Sequence, residues 1–95
     1  MQYVHPGEMI KEEFLPAMKL SVAEFARRIF VSRTTAYRLL NGKQDISTDM
    51  ARRLGKLFGD DAGLWLRLQV DYDLHKPNPA LDKELKAIET IRIAV

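Results

Sequence analysis

The chain has 95 residues, with 15 Lys and Arg against 13 Asp and Glu and a formal net charge of +2, which describes one domain with room for a modest core. Cysteine is absent, excluding disulfides, thiolate metal sites and thiol chemistry. No stretch approaches the roughly eighteen apolar residues of a membrane span, and the first residues carry no signal-type apolar segment, so a bacterial cytoplasmic protein is expected.

In chain order, His5-Pro6 reads as an N-cap and a first helical position, and Met9, Ile10 and Phe14 supply an apolar face running to Leu15 before Pro16. Glu8, Glu12 and Glu13 form the outer face of this first helix. Ser21 then opens a second helix, with Glu24 three residues on completing a capping box and Val22, Phe25, Ala26 and Ile29 on one side. Arg27 and Arg28 lie off that stripe, and the helix ends near Phe30.

Ser32 caps a third helix, Arg33 to Leu40, whose inward positions are Ala36, Leu39 and Leu40. Its opposite face carries Arg33, Thr34, Tyr37 and Arg38, stacked in pairs four residues apart. Asn41-Gly42 stops it, since either residue can take the left-handed C-cap conformation. Such a helix suits the major groove: Arg can donate two bonds to guanine, Thr can reach a base edge, and Tyr can bond a phosphate. Ser32 and the N–H groups at the helix start suit phosphate. The same pattern also describes an ordinary amphipathic pair with solvated arginines.

Ser47 caps a fourth helix with Met50, Leu54, Leu57 and Phe58 as its core stripe and Gly59 as its end. Arg52, Arg53 and Lys56 read as solvent-facing charge, and Lys43 sits in the preceding loop within reach of a phosphate. Asp60 or Asp61 caps a fifth helix running to about His75. One stripe holds Leu64, Trp65, Leu68 and Tyr72; a second holds Leu66, Val70 and Leu74 and is either a dimer surface or the seat of the C-terminal segment. After Pro77-Asn78-Pro79, residues 80–92 can form a last helix with Leu81, Leu85 and Ile88 aligned and an Asp82/Lys86 pair, although alternation of Ile91, Ile93 and Val95 also fits a short strand.

Charge is unevenly spread. Residues 19–56 hold nine Lys and Arg against three Asp and Glu, while the segments on either side are each net negative, and a basic middle between acidic ends favours a polyanionic partner. No Ser/His/Asp set, paired acids, glycine-rich loop or metal-ligand spacing is present. The chain therefore reads as a non-enzyme needing no cofactor and no metal.

Residues 21–43 resemble the Cro/repressor-type helix-turn-helix family through Ser21-Val22-Ala23-Glu24-Phe25-Ala26, Val31-Ser32-Arg33 and Asn41-Gly42-Lys43. His5-Pro6-Gly7-Glu8, Glu13-Phe14-Leu15, Ile46-Ser47, Met50-Ala51, Leu54, Phe58-Gly59, Trp65-Leu66, Leu68-Gln69 and Tyr72-Asp73-Leu74 extend the likeness to its HigA antitoxin branch, the virulence-associated protein I group. These motifs end near residue 75. Two departures stand out: Phe30 takes a turn position where the family often has glycine, demanding strain or a variant turn, and Val22 replaces a phosphate-binding glutamine of some relatives.

The resemblance implies an all-α, lambda-repressor-like domain of five helices over residues 1–76, with the helix-turn-helix unit at 21–43; the C-terminal extension, 77–95, lies beyond it and is expected from its own residue pattern to form a sixth helix used in dimerisation or packing. It implies a repressor that binds a palindromic operator as a homodimer, controls its own operon and neutralises a HigB-type toxin, a ribosome-dependent mRNA endonuclease. Arg33, Thr34, Tyr37 and Arg38 are the expected base-contacting residues, and Ser32, Thr35, Asn41 and Lys43 the phosphate-contacting ones. Leu66, Val70 and Leu74 are the expected dimer surface. A solitary regulator, or an interaction module on the same fold without specific DNA binding, are the competing readings.

Overall fold

Six helices in succession build the protein, with no strand among the described residues. The computed structural model describes residues 3–93. Helix α1 (residues 6–18) opens as expected: His5 is its N-cap, with Nδ1 accepting the Gly7 N–H at 2.9 Å, and Pro6 occupies the first turn. The expected end before Pro16 is not where the helix stops. It widens to a π turn over Ile10–Phe14, where the Leu15 N–H reaches back to the Ile10 carbonyl, and resumes as α-helix over Leu15–Met18. A proline inside an α-helix collides with the carbonyl four residues back. Here Pro16 falls in the first turn of a fresh α segment, where no such bond is required.

The remaining helices are α2 (Val22–Arg28), α3 (Arg33–Leu40), α4 (Thr48–Phe58), α5 (Ala62–Leu74) and α6 (Pro79–Ala87). Side chains of Ser21, Ser32, Ser47, Asp61 and Asn78 each accept a backbone N–H at the start of the helix they cap. Asp60 has a different task, accepting the Trp65 indole N–H at 2.8 Å. The last helix is shorter than expected, because Ile88 is already extended. No strand follows it among the described residues, Val95 lies outside them, and Asp82 and Lys86 do not pair.

Helices α1 to α4 all end with a left-handed residue. Gly42 and Gly59 supply it at φ 70° and 71°, but α1 and α2 use Lys19 at 54° and Phe30 at 60°. Phe30 belongs to a Schellman end: the Val31 N–H bonds the Ala26 carbonyl at 3.1 Å and the Phe30 N–H bonds that of Arg27 at 3.3 Å. The turn thus strains its bulky residue and keeps the glycine-type geometry. Arg53, expected as solvent-facing charge, ties the turn down by donating to the carbonyls of Ile29 at 2.7 Å and Phe30 at 3.4 Å while paired with Asp49.

The Phe30 ring remains 87% exposed, so it recovers little of the roughly 1–2 kcal/mol that a left-handed Cβ costs. Glycine loses about 0.5–1 kcal/mol more chain entropy on folding. Phe30→Gly is therefore expected to raise the melting temperature by a few degrees, and a fall in calorimetry would show that the ring packs.

The core gathers Ile10 and Leu15 of α1, Phe25, Ala26 and Ile29 around α2, Ala36, Leu39 and Leu40 of α3, Met50, Ala51 and Leu54 of α4, and Trp65 of α5. Phe14, Phe58 and Trp65 stack edge-on or tilted at 5.0–5.6 Å between ring centres, a favoured aromatic arrangement. Of the two stripes on α5, the first is largely inward. In the second, Leu66 packs on the core while Val70 and Leu74 are 53% and 74% exposed. The C-terminal segment does not cover them, as every residue from 79 to 93 is exposed.

His5 is buried, and its Nε2 has no hydrogen-bond partner. Desolvation holds its pKa below the ordinary 6.5, outweighing the upward pull of Asp45, Glu8 and Asp73. The unfolded chain therefore binds a proton more readily than the folded one, so stability is complete above pH 6.5 and declines as pH falls through that value toward the lower folded one. His5→Asn, which keeps a capping side chain, should flatten this slope in melts at pH 7.5 and pH 5. A slope equal to the parent's would assign the acid sensitivity elsewhere.

Candidate nucleic-acid interface

The α2–turn–α3 unit is held from both sides. At its entry, Ser21 Oγ accepts the Glu24 N–H at 3.1 Å, but the reciprocal half of the capping box is missing. The Glu24 carboxylate instead accepts from Arg27 at 2.6 and 3.0 Å and from Arg28 at 2.9 Å, since charge-assisted bonds are stronger than a bond to a neutral N–H. Those arginines hold the Glu24 pKa down at about 2, so the carboxylate stays charged until strongly acid pH and offsets part of their positive charge.

At the start of α3, Ser32 Oγ accepts the Thr35 N–H and donates to Thr35 Oγ1, both at 3.0 Å. The two hydroxyls expected to meet phosphate are thus bonded to one another in the free protein, and with the Thr35 N–H taken by Ser32 the open donors of the first turn are the N–H groups of Arg33 and Thr34. Arg33, Thr34, Tyr37 and Arg38 are all exposed, Tyr37 by 53%. Opposite them Ala36 and Leu39 are fully buried and Leu40 almost so. The division into an exposed face and a packed face is that expected from the helical period. Among the described residues neither Arg33, Arg38 nor Lys43 has an ion-pair partner, so all three present uncompensated charge.

The far end of α3 is braced by α1. Lys43 N–H bonds the Arg38 carbonyl at 2.8 Å and Gly42 N–H that of Leu39 at 3.1 Å, closing the helix with Gly42 in the left-handed position. Lys11 donates to Asn41 Oδ1 at 3.0 Å, leaving the amide NH2 of Asn41 as its free polar group. A Cβ on Gly42 would come 2.5 Å from Glu8 Oε1, so Glu8 lies beside the tail of α3 while Glu12 and Glu13 are exposed. Only the latter two fit the expectation of an acidic face turned outward.

Three supports escaped the sequence reading. Lys11 and Arg53 act across 30 and 24 residues, separations that leave no local pattern. Gln69 is buried, takes the Ile46 N–H at 2.9 Å and donates to Asp45 at 3.3 Å and Asp73 at 3.1 Å, fixing the loop that follows α3. Its signal was available: it lies four residues after Trp65 on the inward side of α5, where an amide requires partners.

Residues 10–59 match the family model HTH_3, helix-turn-helix. Virulence-associated protein I of Dichelobacter nodosus is 39% identical over 74 residues, covering 78% of this chain and 68% of that protein. Among solved structures, the Pseudomonas aeruginosa antitoxin HigA with the higBA promoter superposes with a TM-score of 0.86 at 36% identity, over 96% of this chain and 100% of that one. An addiction module antidote protein of a HigA family from Coxiella burnetii superposes with a TM-score of 0.84 at 32% identity, over 97% and 100%. The likeness in structure thus takes in most of the C-terminal segment, beyond the last recognisable sequence motif.

Proposed function

The chain belongs to the HTH_3 helix-turn-helix family, and from that premise we propose that it is a sequence-specific DNA-binding repressor, acting as a homodimer on a palindromic operator, and the antitoxin of a HigB/HigA-type pair. The observation that carries the reading is the set of exposed, unpaired groups on one face of α3, on a fold whose solved relative is held with a promoter. Arg33, Thr34, Tyr37 and Arg38 read base edges; Lys43, the Asn41 amide and the backbone N–H groups of Arg33 and Thr34, between Ser32 and Thr35, grip phosphate.

One short helix contacts too few base pairs for genomic specificity, so two copies must read half-sites about 34 Å apart. The exposed Val70 and Leu74, with Leu66 beneath them, are the dimer surface on residues 1–76, and residues 77–95 extend it. No described helix is long and apolar enough to cross a membrane, and the cytoplasm is the site of action.

Gel shifts on the palindrome of the chain's own promoter test this, with two protomers expected per palindrome. Lys43→Ala should weaken operator and random DNA alike and reduce the salt slope by about 1. Equal affinity of the parent for operator and random DNA would reject specific repression. For the antitoxin half, the product of the adjoining reading frame should co-purify with this chain and lose its mRNA cleavage; a repressor that captures nothing would be a solitary regulator.

A further inference from the structure

Lys11 is the basic residue of an otherwise acidic helix, standing in α1 among Glu8, Glu12 and Glu13. Glu8 lies one turn before it, a spacing that allows an ion pair. The pair is not made. The Lys11 side chain turns instead to the tail of α3, where it donates to Asn41 Oδ1 at 3.0 Å, and it has no ion-pair partner among the described residues. Both residues are exposed. An exposed bond from an ammonium to a neutral amide adds little to the fold, because water serves each group about as well. It does place an uncompensated positive charge at the end of the reading helix, and it turns the Asn41 NH2 away from that charge.

The length of α3 gives this end a meaning. Its eight residues rise about 12 Å, close to the roughly 12 Å width of the major groove, so a helix seated there brings its two ends toward the two walls of phosphates. At its start the open donors are the N–H groups of Arg33 and Thr34. At its finish stand the Asn41 NH2, Lys43 and, supplied by α1, the Lys11 ammonium. Glu8 is the opposing charge, since a Cβ on Gly42 would come 2.5 Å from its Oε1. With Lys11 bonded to Asn41 and Lys43 following Gly42, the local charge stays positive.

We infer that Lys11 is a DNA-contacting residue: its ammonium, seated on Asn41, bonds a backbone phosphate at the far end of α3, so that α1 takes part in gripping the duplex. The inference rests on DNA binding through α3, as read above, and needs neither operator preference nor a toxin. It gives α1 a part in the grip that the net negative charge of that helix conceals.

A phosphate contact carries no base information but releases counterions, and that release is the readout. Binding is measured by fluorescence anisotropy on the promoter palindrome and on a random duplex of equal length. Between about 50 and 200 mM salt the parent should lose about threefold more affinity than Lys11→Gln for each copy bound, on both duplexes. Lys11→Arg should restore the parent's slope, and calorimetry should show both variants melting close to the parent. Lys56→Gln removes an equal charge from the last turn of α4 and controls for long-range attraction; its slope should stay near the parent's. A Lys11→Gln slope on random DNA no flatter than that of Lys56→Gln would overturn the contact and leave Lys11 a brace acting only through the neutral Asn41 amide. Equal parent affinity for palindrome and random DNA would reject specific repression, while the slopes on random DNA would still decide the role of Lys11. A parent that binds neither duplex would overturn both.

Discussion

Gly7→Ala is expected to lower the melting temperature by about 10–20 °C, the loss of some 2–3 kcal/mol in a domain of this size. The added Cβ would stand 1.9 Å from the Leu39 carbonyl oxygen and 2.8 Å from its carbon. Neither is a rotatable side-chain end, so α1 and α3 must separate. Helix propensity favours alanine over glycine by about 1 kcal/mol, which predicts the opposite sign. Contact wins because the overlap is with backbone at the end of α3, where Lys11 and Glu8 also bear. A melting temperature equal to or above the parent's, by calorimetry at pH 7.5, would mean that the helices are not in this close approach.

The largest functional effect is expected from the double change of Arg33 and Arg38 to alanine. Each lost bidentate base contact is worth about 1–3 kcal/mol, and a palindrome bound by two copies loses four of them. The whole margin of specific over random binding in such proteins is about 4–10 kcal/mol, so operator preference should disappear. What remains is salt-dependent attraction by Lys43 and the other basic groups of the middle segment. Both arginines are exposed, so the fold should melt as the parent does. Retained operator preference in competition gel shifts would remove α3 from the role of reading head.

Much of this was legible in short-range chemistry. Ser21, Ser32 and Ser47 announced three helix starts because a capping hydroxyl acts on N–H groups two or three residues away, and the inward set Ala36, Leu39 and Leu40 followed from helical period alone. The free face of α3 was legible for the same reason. Less legible was whatever depends on chain segments far apart: Lys11 on Asn41, Arg53 on the turn, and the failure of the arm to fold back on α5. Glu24 was mistaken for a partner of Ser21 N–H because two arginines on the next turn compete for it. At Ser32 and Thr35 the sequence shows two hydroxyls at the start of α3 but not their mutual bond, which engages them without any anion.

The π turn of α1 is, in effect, one residue more than an α-helix needs to cover the same rise. It lets Ile10 and Leu15, five apart, both face inward at 0% and 4% exposure. Removing one residue from within Ile10–Phe14 would restore the α-helical period and bring Ile10 and Leu15 to a spacing of four, still on one face. Chains of this fold that build the helix without the wide turn should therefore differ here by a single-residue gap, free of any proline at the place of Pro16.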